Sequence, residues 1–244
     1  NQNVPECYIE MLEALYKHQT GKIVADKASK PFNIARGTKQ GDPISPVLFN
    51  AVLEHALKDV LPKWRKLRWG IDFGSGVDRY LCTLKFADDV LILASSRHQL
   101  KGMLEDLIEA VGRVGLQLHP GKSKILVNAA TRVAGVPSVV HANGKTIEVL
   151  SAEQSTKYLG RMLNIDSSSA LHDVELDNRI ACAWRKFWAN KHELTSNKFR
   201  LRDRLKFFDK AISPCLLYGA GTWTMTEERK QKLRANQRRM LRYI

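Results

Sequence analysis

Residues 80–94 spell Tyr-Leu-Cys-Thr-Leu-Lys-Phe-Ala-Asp-Asp-Val-Leu-Ile-Leu-Ala, two apolar runs of strand character that meet across Asp88 and Asp89. Successive side chains of an extended strand point to opposite faces, so neighbouring carboxylates can serve one site only where the backbone turns between two strands. The pattern therefore predicts a hairpin with Ala87, Asp88 and Asp89 at its turn, the apolar flanks buried and the acids left at the tip. Hard carboxylate oxygens in that position suit Mg²⁺ held together with substrate phosphates. Aspartate is also common in turns because it tolerates left-handed backbone and bonds its own main chain. The hairpin by itself does not assign a metal site.

Upstream, residues 36–46 read Arg-Gly-Thr-Lys-Gln-Gly-Asp-Pro-Ile-Ser-Pro and run into Val47, Leu48, Phe49 and Asn50. A loop feeding a helix is expected, with Ser45 as N-cap and Pro46 as the first helical residue. Gly37 and Gly41 permit close backbone approach, and a helix N-terminus favours an anion. An ordinary capped loop would show the same signals.

Taken together, the two segments resemble the palm of reverse transcriptases, most closely those of non-LTR (LINE-type) retrotransposons. Lys39, Gln40, Gly41, Asp42 and Pro43, with Ser45 and Pro46, look like motif B, and Phe86, Ala87, Asp88 and Asp89 look like motif C. Gly115-Leu116 with Lys122-Ser123-Lys124 resembles motif D, with His119 where the family usually has Asn, and Tyr158-Leu159-Gly160 resembles the primer-grip motif E. Tyr218-Gly219, Trp223 and the basic tract running to Ile244 are similar to the region that follows the polymerase core. Motifs in the family's order are far more specific than any one alone.

The resemblance implies an α+β fold: a palm-like antiparallel sheet with packed helices over residues 1–165, including part of the fingers, and a basic helical thumb-like region over 166–244. It implies two Mg²⁺ ions about 3.5–4 Å apart, with Asp88 and Asp89 as catalytic ligands. Lys122 would act on the leaving pyrophosphate, with Lys124 as the neighbouring alternative. Lys39, Gln40, Gly41, Phe86 and Ala87 would line the nucleotide and template pocket, and Tyr158, Leu159 and Gly160 would hold the primer. An RNA template and a DNA primer or duplex are the implied partners. Arg229, Lys230, Arg234, Arg238, Arg239 and Arg242 would follow the duplex backbone.

One departure matters. The family's third catalytic aspartate belongs to motif A, which would lie before Asn1, and most of the fingers precede it. Glu6, Glu10 and Glu13 do not replace it, because they share a helical stretch with Ile9, Leu12 and Leu15 and read as its solvated face. Ile244 falls within a helical pattern that has no stop signal. The sequence therefore reads as an internal piece of a longer polymerase with little activity alone. The alternative is a noncatalytic retroelement-derived protein, retained to bind nucleic acid or to serve in a larger assembly, whose partner could be the rest of its own polyprotein.

Charge supports a polyanionic partner. The net charge is +14, and residues 181–244 hold 16 Lys/Arg against 5 Asp/Glu, a local excess of +11. No apolar run approaches the roughly 18–20 residues that span a bilayer. Cys7, Cys82, Cys182 and Cys215 are dispersed with no zinc spacing, which reads as reduced thiols of an intracellular protein, nuclear or cytoplasmic.

Elsewhere the sequence predicts a helix over 5–18, extended segments at 22–25 and 32–35, and one helical run from Pro46 through Leu61. The stretch 63–69 alternates bases with Trp64, Leu67 and Trp69, so it is either a stacking element or a pair of core anchors. An amphipathic helix is expected through Leu100, Met103, Leu104, Leu107, Ile108, Val111 and Val114. Short strands are expected at 116–118 and 125–127, a hairpin around Asn143-Gly144, a linker near Ser167-Ser168-Ser169, and helices beyond.

Overall fold

The computed structural model describes residues 3–74, 79–128, 135, 137–151, 154–164 and 168–244, with backbone alone for 168–171. Helices and small sheets alternate, as a mixed α+β chain requires. Helix α1 (Glu6–Tyr16) buries none of its residues, and Ile9 and Leu15 are exposed although the glutamates alone were expected to be. Strands β1 (Thr20–Gly21) and β2 (Phe32–Asn33) form a short antiparallel pair, smaller than the extended segments expected there.

The helical run expected from Pro46 divides into α2 (Ser45–Leu57) and α3 (Val60–Lys66). The break lets Leu53, Leu57 and Trp64 converge on Cys82 and on Met103, Leu107 and Val111 of α4 (Arg97–Arg113). Trp64 is fully buried and its Nε1 donates to Asp106 Oδ2 at 2.9 Å, while Lys63 pairs with Oδ1 at 2.7 Å. This tryptophan is thus a core anchor and is not available for stacking. Helix α4 is capped by Ser96, whose hydroxyl accepts from Gln99 N at 3.2 Å, and its expected stripe packs inward through Met103, Leu104, Leu107 and Val111.

Tyr80 and Leu81 form β4 (Tyr80–Leu81), which pairs with β3 (Ile71–Asp72) and not within the central hairpin. That hairpin is β5 (Thr83–Phe86) and β6 (Asp89–Ile92), paired antiparallel from Thr83↔Ile92 to Phe86↔Asp89. Strand β7 (Lys124–Ile125) runs parallel to β9 (Lys145–Val149), which pairs antiparallel with β8 (Val139–Ala142). Asn143 and Gly144 turn that second hairpin with φ of 42° and 72°, the double left-handed geometry that an Asn-Gly pair supplies. No strand forms at 116–118. Among the described residues the strands lie in separate small sheets, not in one continuous antiparallel sheet.

Strands β10 (Thr156–Tyr158) and β11 (Arg161–Leu163) form a third hairpin, after which the chain is helical. The expected linker falls partly outside the described residues at Ser167, whereas Ser168 and Ser169 already belong to α5 (Ser168–Ala189). Then follow α6 (Lys191–Thr195), α7 (Leu201–Phe207), a π-helical turn (Phe208–Ile212), α8 (Ser213–Leu217) and α9 (Glu227–Leu241). Their common core holds Leu176, Ile180, Phe187, Phe208, Ile212 and Met240.

Candidate functional site

The acidic hairpin turns in two residues, closed by Phe86 opposite Asp89. Ala87 sits at φ 51°, a left-handed conformation uncommon for a residue with a Cβ. Asp88 and Asp89 are exposed at the tip. Just below, Lys85 makes an ion pair with Glu54 of α2, tying this hairpin to the helix that the glycine-containing loop feeds.

That loop is ordered by its own polar groups. Asp42 Oδ1 accepts from Ile44 N at 3.2 Å, and the Asp42 carbonyl accepts from Ser45 N at 3.1 Å. Asp42 thereby does the local work expected of Ser45. Ile44 occupies the N-cap, Ser45 is the first helical residue and is buried, and Pro46 stands second. Gly37 and Gly41 adopt φ of 89° and 88°, the conformation that glycine supplies without strain. Lys39, Gln40 and Gly41 are exposed beside them.

The third hairpin carries Tyr158, Leu159 and Gly160 at its turn, with φ of 47° and 77° at Leu159 and Gly160. Burial raises the Tyr158 phenol above its ordinary value of 10.0, and the negative charge of Asp89 raises it further. The acidic tip and the Tyr158 hairpin are therefore electrostatic neighbours. Asp89→Asn is expected to lower the pH at which Tyr158 ionises, read from the tyrosine ring-carbon resonances across an alkaline titration; an unchanged midpoint would separate the two hairpins.

Glu175 and Arg179 of α5 and Tyr218, just past the end of α8, clamp this hairpin. Glu175 is fully buried on α5, where it accepts from Met162 N at 2.7 Å and from Arg179 Nε at 2.6 Å. Arg179 also donates to the Gly160 carbonyl and lies 4.6 Å from the Tyr218 ring centroid, and the Tyr218 hydroxyl donates to the Leu159 carbonyl at 3.0 Å. Both turn carbonyls are thus held. The i,i+4 spacing of Glu175 and Arg179 was visible in the sequence, but a solvated helix pair looks the same there.

The two lysines that the sequence left open are distinguished by their partners. Lys124 pairs with Glu148, its register partner across β7 and β9, whereas Lys122 closes a 3₁₀ turn (Pro120–Lys122) and is exposed.

In the basic helix, Arg229 departs from expectation. It is buried and forms a two-pronged ion pair with Asp173, at 2.7 and 2.9 Å, while Nη1 donates to the Thr224 carbonyl at 2.7 Å. It therefore ties α9 to α5 and does not face a ligand. Lys230 pairs with Glu227 at 2.6 Å, and Arg234, Arg238, Arg239 and Arg242 are exposed. The inward stripe of α9 runs through the buried Arg229 and Met240 with Leu233 partly buried between them, while Leu241 is exposed.

Among the described residues no group of three or more His, Cys, Asp and Glu converges on one point. Two exposed carboxylates fit a Mg²⁺ ion that fills the rest of its shell with water and substrate phosphate, its usual habit. No helix among the described residues is long and apolar enough to cross a membrane.

The acidic hairpin tip, the glycine-bearing loop that feeds α2 and the Tyr158 hairpin carry most of the residues that the sequence singles out. The chain belongs to the reverse transcriptase (RNA-dependent DNA polymerase) family, whose pattern it matches over residues 2–163. It is 29% identical over 159 residues to a putative uncharacterized transposon-derived protein of Caenorhabditis elegans, covering 64% of this chain and 53% of that one. A retrovirus-related Pol polyprotein from the type-2 retrotransposable element R2DM of Drosophila melanogaster is 31% identical over 119 residues, 48% of this chain and 10% of the polyprotein. A Pol polyprotein from the type-1 element R2 of Popillia japonica is 26% identical over 189 residues, 76% of this chain and 24% of that one. The chain thus spans about half the length of the first relative and far less of the polyproteins.

Proposed function

We propose that this chain carries the palm and thumb-like portions of a retroelement reverse transcriptase, acting on an RNA template and a DNA primer. The observation that supports this most directly is the exposed Asp88-Asp89 pair at a hairpin tip, tied through the Lys85–Glu54 ion pair to the helix that the glycine-bearing loop feeds. In this reading Asp88 and Asp89 hold Mg²⁺, which when bound supplies charge stabilisation to the attacking hydroxyl and the leaving phosphates. Lys122, free of the ion pair that occupies Lys124, faces the leaving pyrophosphate and delivers a proton or neutralises its charge. Lys39, Gln40, Gly41, Phe86 and Ala87 border the nucleotide and template. The turn of Tyr158, Leu159 and Gly160 positions the primer end, with its carbonyls fixed by Tyr218 and Arg179 so that the geometry is set before substrate arrives.

Two carboxylates balance two divalent ions poorly, so a third acid from the family's motif A belongs to the complete site. Primer extension on a primed RNA template with Mg²⁺ tests the assignment. The 244-residue chain is expected to extend negligibly, and the chain joined to an upstream segment that carries a motif A aspartate to extend well. Asp88→Asn should lower that extension by at least about 10²-fold, the scale of losing one preorganised electrostatic contact. Full extension by Asp88→Asn would remove Asp88 from the site. A second reading, a noncatalytic nucleic-acid-binding or assembly subunit, draws support from the similarity to a relative described as transposon-derived; it predicts no extension even with the upstream segment present.

A further inference from the structure

Beyond the clamp, α5 ends in an aromatic cluster that none of the roles above uses. Trp184 and Trp188 stack at 5.9 Å with 20° between planes, and Tyr243 meets Trp188 edge-on at 5.2 Å. Trp184 is fixed from below, its Nε1 donating to Asn236 Oδ1 at 3.1 Å, and Phe187 closes the cluster into the core. Trp188 and Tyr243 nevertheless remain 45% and 55% exposed. A half-open tryptophan beside a half-open tyrosine, both backed by rigid core, is an apolar face with defined planes.

Its surroundings are cationic. The Lys191 ammonium lies 5.9 Å from the Trp188 ring centroid. Arg185 is exposed three residues before Trp188 on the same helical stripe, and its guanidinium reaches the Cys182 sulfur at 3.0 Å. Arg239 is exposed one turn before Tyr243, and the exposed acid nearest in sequence to Trp188 is Glu193 of α6. A purely apolar partner would gain nothing from these bases, whereas a polyanion with flat rings satisfies both features. Base stacking on aromatics combined with a basic margin is how single strands are held without sequence preference.

We infer that the Trp188–Tyr243 face binds single-stranded nucleic acid, with bases stacked on the two rings and phosphates met by Arg185 and Lys191. Arg179, which holds the Gly160 carbonyl, lies nine residues earlier on the same helix, about 13 Å along its axis. Nine residues also turn the helix by about 900°, so the aromatic face lies on the opposite side of α5 from Arg179 and is a contact separate from the Tyr158 hairpin. The inference rests on the nucleic-acid reading of the chain, and it differs from duplex tracking by the exposed arginines of α9.

Fluorescence anisotropy with the 244-residue chain separates the two, using a labelled oligothymidylate of about 12 nucleotides, within the site sizes single-strand binders occupy, and a duplex of equal length. Trp188→Ala is expected to weaken single-strand binding by about 5- to 150-fold, the span for losing one stacked base, while duplex affinity changes little. Trp188→Phe, which keeps an aromatic plane, should retain most of the affinity. Should Trp188→Ala fail to melt cooperatively, Arg185→Gln with Lys191→Gln carries the test, flattening the single-strand log–log salt slope by up to about 1.4. Equal losses on both probes, or unchanged single-strand binding by a folded variant, would overturn the inference. Unchanged binding with an altered sedimentation coefficient would give the face to a protein contact and overturn it equally. Loss of duplex binding by the unsubstituted chain would instead strike the nucleic-acid reading itself.

Discussion

Glu175→Ala is expected to lower the unfolding free energy by about 3–5 kcal/mol, the cost of breaking a buried ion pair from one side. Arg179 would be left almost without solvent and without its carboxylate, since its side chain is 9% exposed and that of Glu175 is 0%. Met162 N–H would lose its acceptor at the same time. Against a total stability of roughly 5–15 kcal/mol for a domain of ordinary size, this is a large fraction. A urea melt followed by tryptophan fluorescence should show the midpoint falling sharply. Replacing both partners, Glu175→Met with Arg179→Leu, should recover most of the loss, because an apolar pair of similar volume needs no desolvation of charge. Recovery should stop short of complete, since the Gly160 carbonyl and Met162 N–H still lack partners. An unchanged midpoint for the single variant would mean that water reaches the pair.

Replacing Arg234, Arg238 and Arg239 together by Gln is expected to flatten the duplex-binding log–log salt slope by up to about 2.7, at 0.9 per phosphate contact. Extrapolated to 0.1 M salt this is a loss on the order of 10²–10³-fold. The variant should fold normally, because these side chains are exposed and Met240 and Leu233 carry the packing of α9. Arg229→Gln should behave in the opposite way, weakening the fold and leaving the slope alone. Hydrogen bonds from Arg229 hold the Asp173 carboxyl below its ordinary value of 3.8. The stabilisation from that pair is therefore complete above the ordinary value and is lost as the pH falls through the depressed one. A triple variant with the parental slope would turn this charge toward a protein or lipid partner.

Much of the site could be read before any coordinates because its signals are local. The acidic turn needs only two apolar runs around Asp88-Asp89, and the second hairpin only Asn143-Gly144, so periodicity and turn chemistry suffice for both. Helix α4 announced itself by its stripe for the same reason. What escaped depends on contacts distant in sequence. Arg229 reads as one more base in a basic helix until Asp173, fifty-six residues earlier, is seen against it. Glu175 and Arg179 read as an exposed i,i+4 pair until the β10–β11 hairpin covers them. The break between α2 and α3 had a local signal in Pro62, which falls in the first turn of α3 and cannot continue a helical ladder, but the apolar spacing runs on through it. Ser45 lies inside α2 and not at its cap because Asp42 holds the loop so that the helix begins one residue earlier, which only loop geometry decides.

The π-helical turn at Phe208–Ile212 sets the phase of everything that follows it. A wide turn holds one residue more than an α-turn, and each residue of an α-helix advances the chain by about 100°. Winding the same residues as ordinary α-helix, with nothing removed, would over-rotate α8 by about that angle. Phe208 and Ile212 would still share a face, but Leu216, now in the core with them, would swing away from it. Tyr218 follows directly, so its hydroxyl would leave the Leu159 carbonyl. One surplus residue, far from the aspartates in sequence, is thus absorbed by the wide turn so that Tyr218 stays in phase with the tyrosine hairpin, and inserting a further residue at this turn should cost far more than a substitution there.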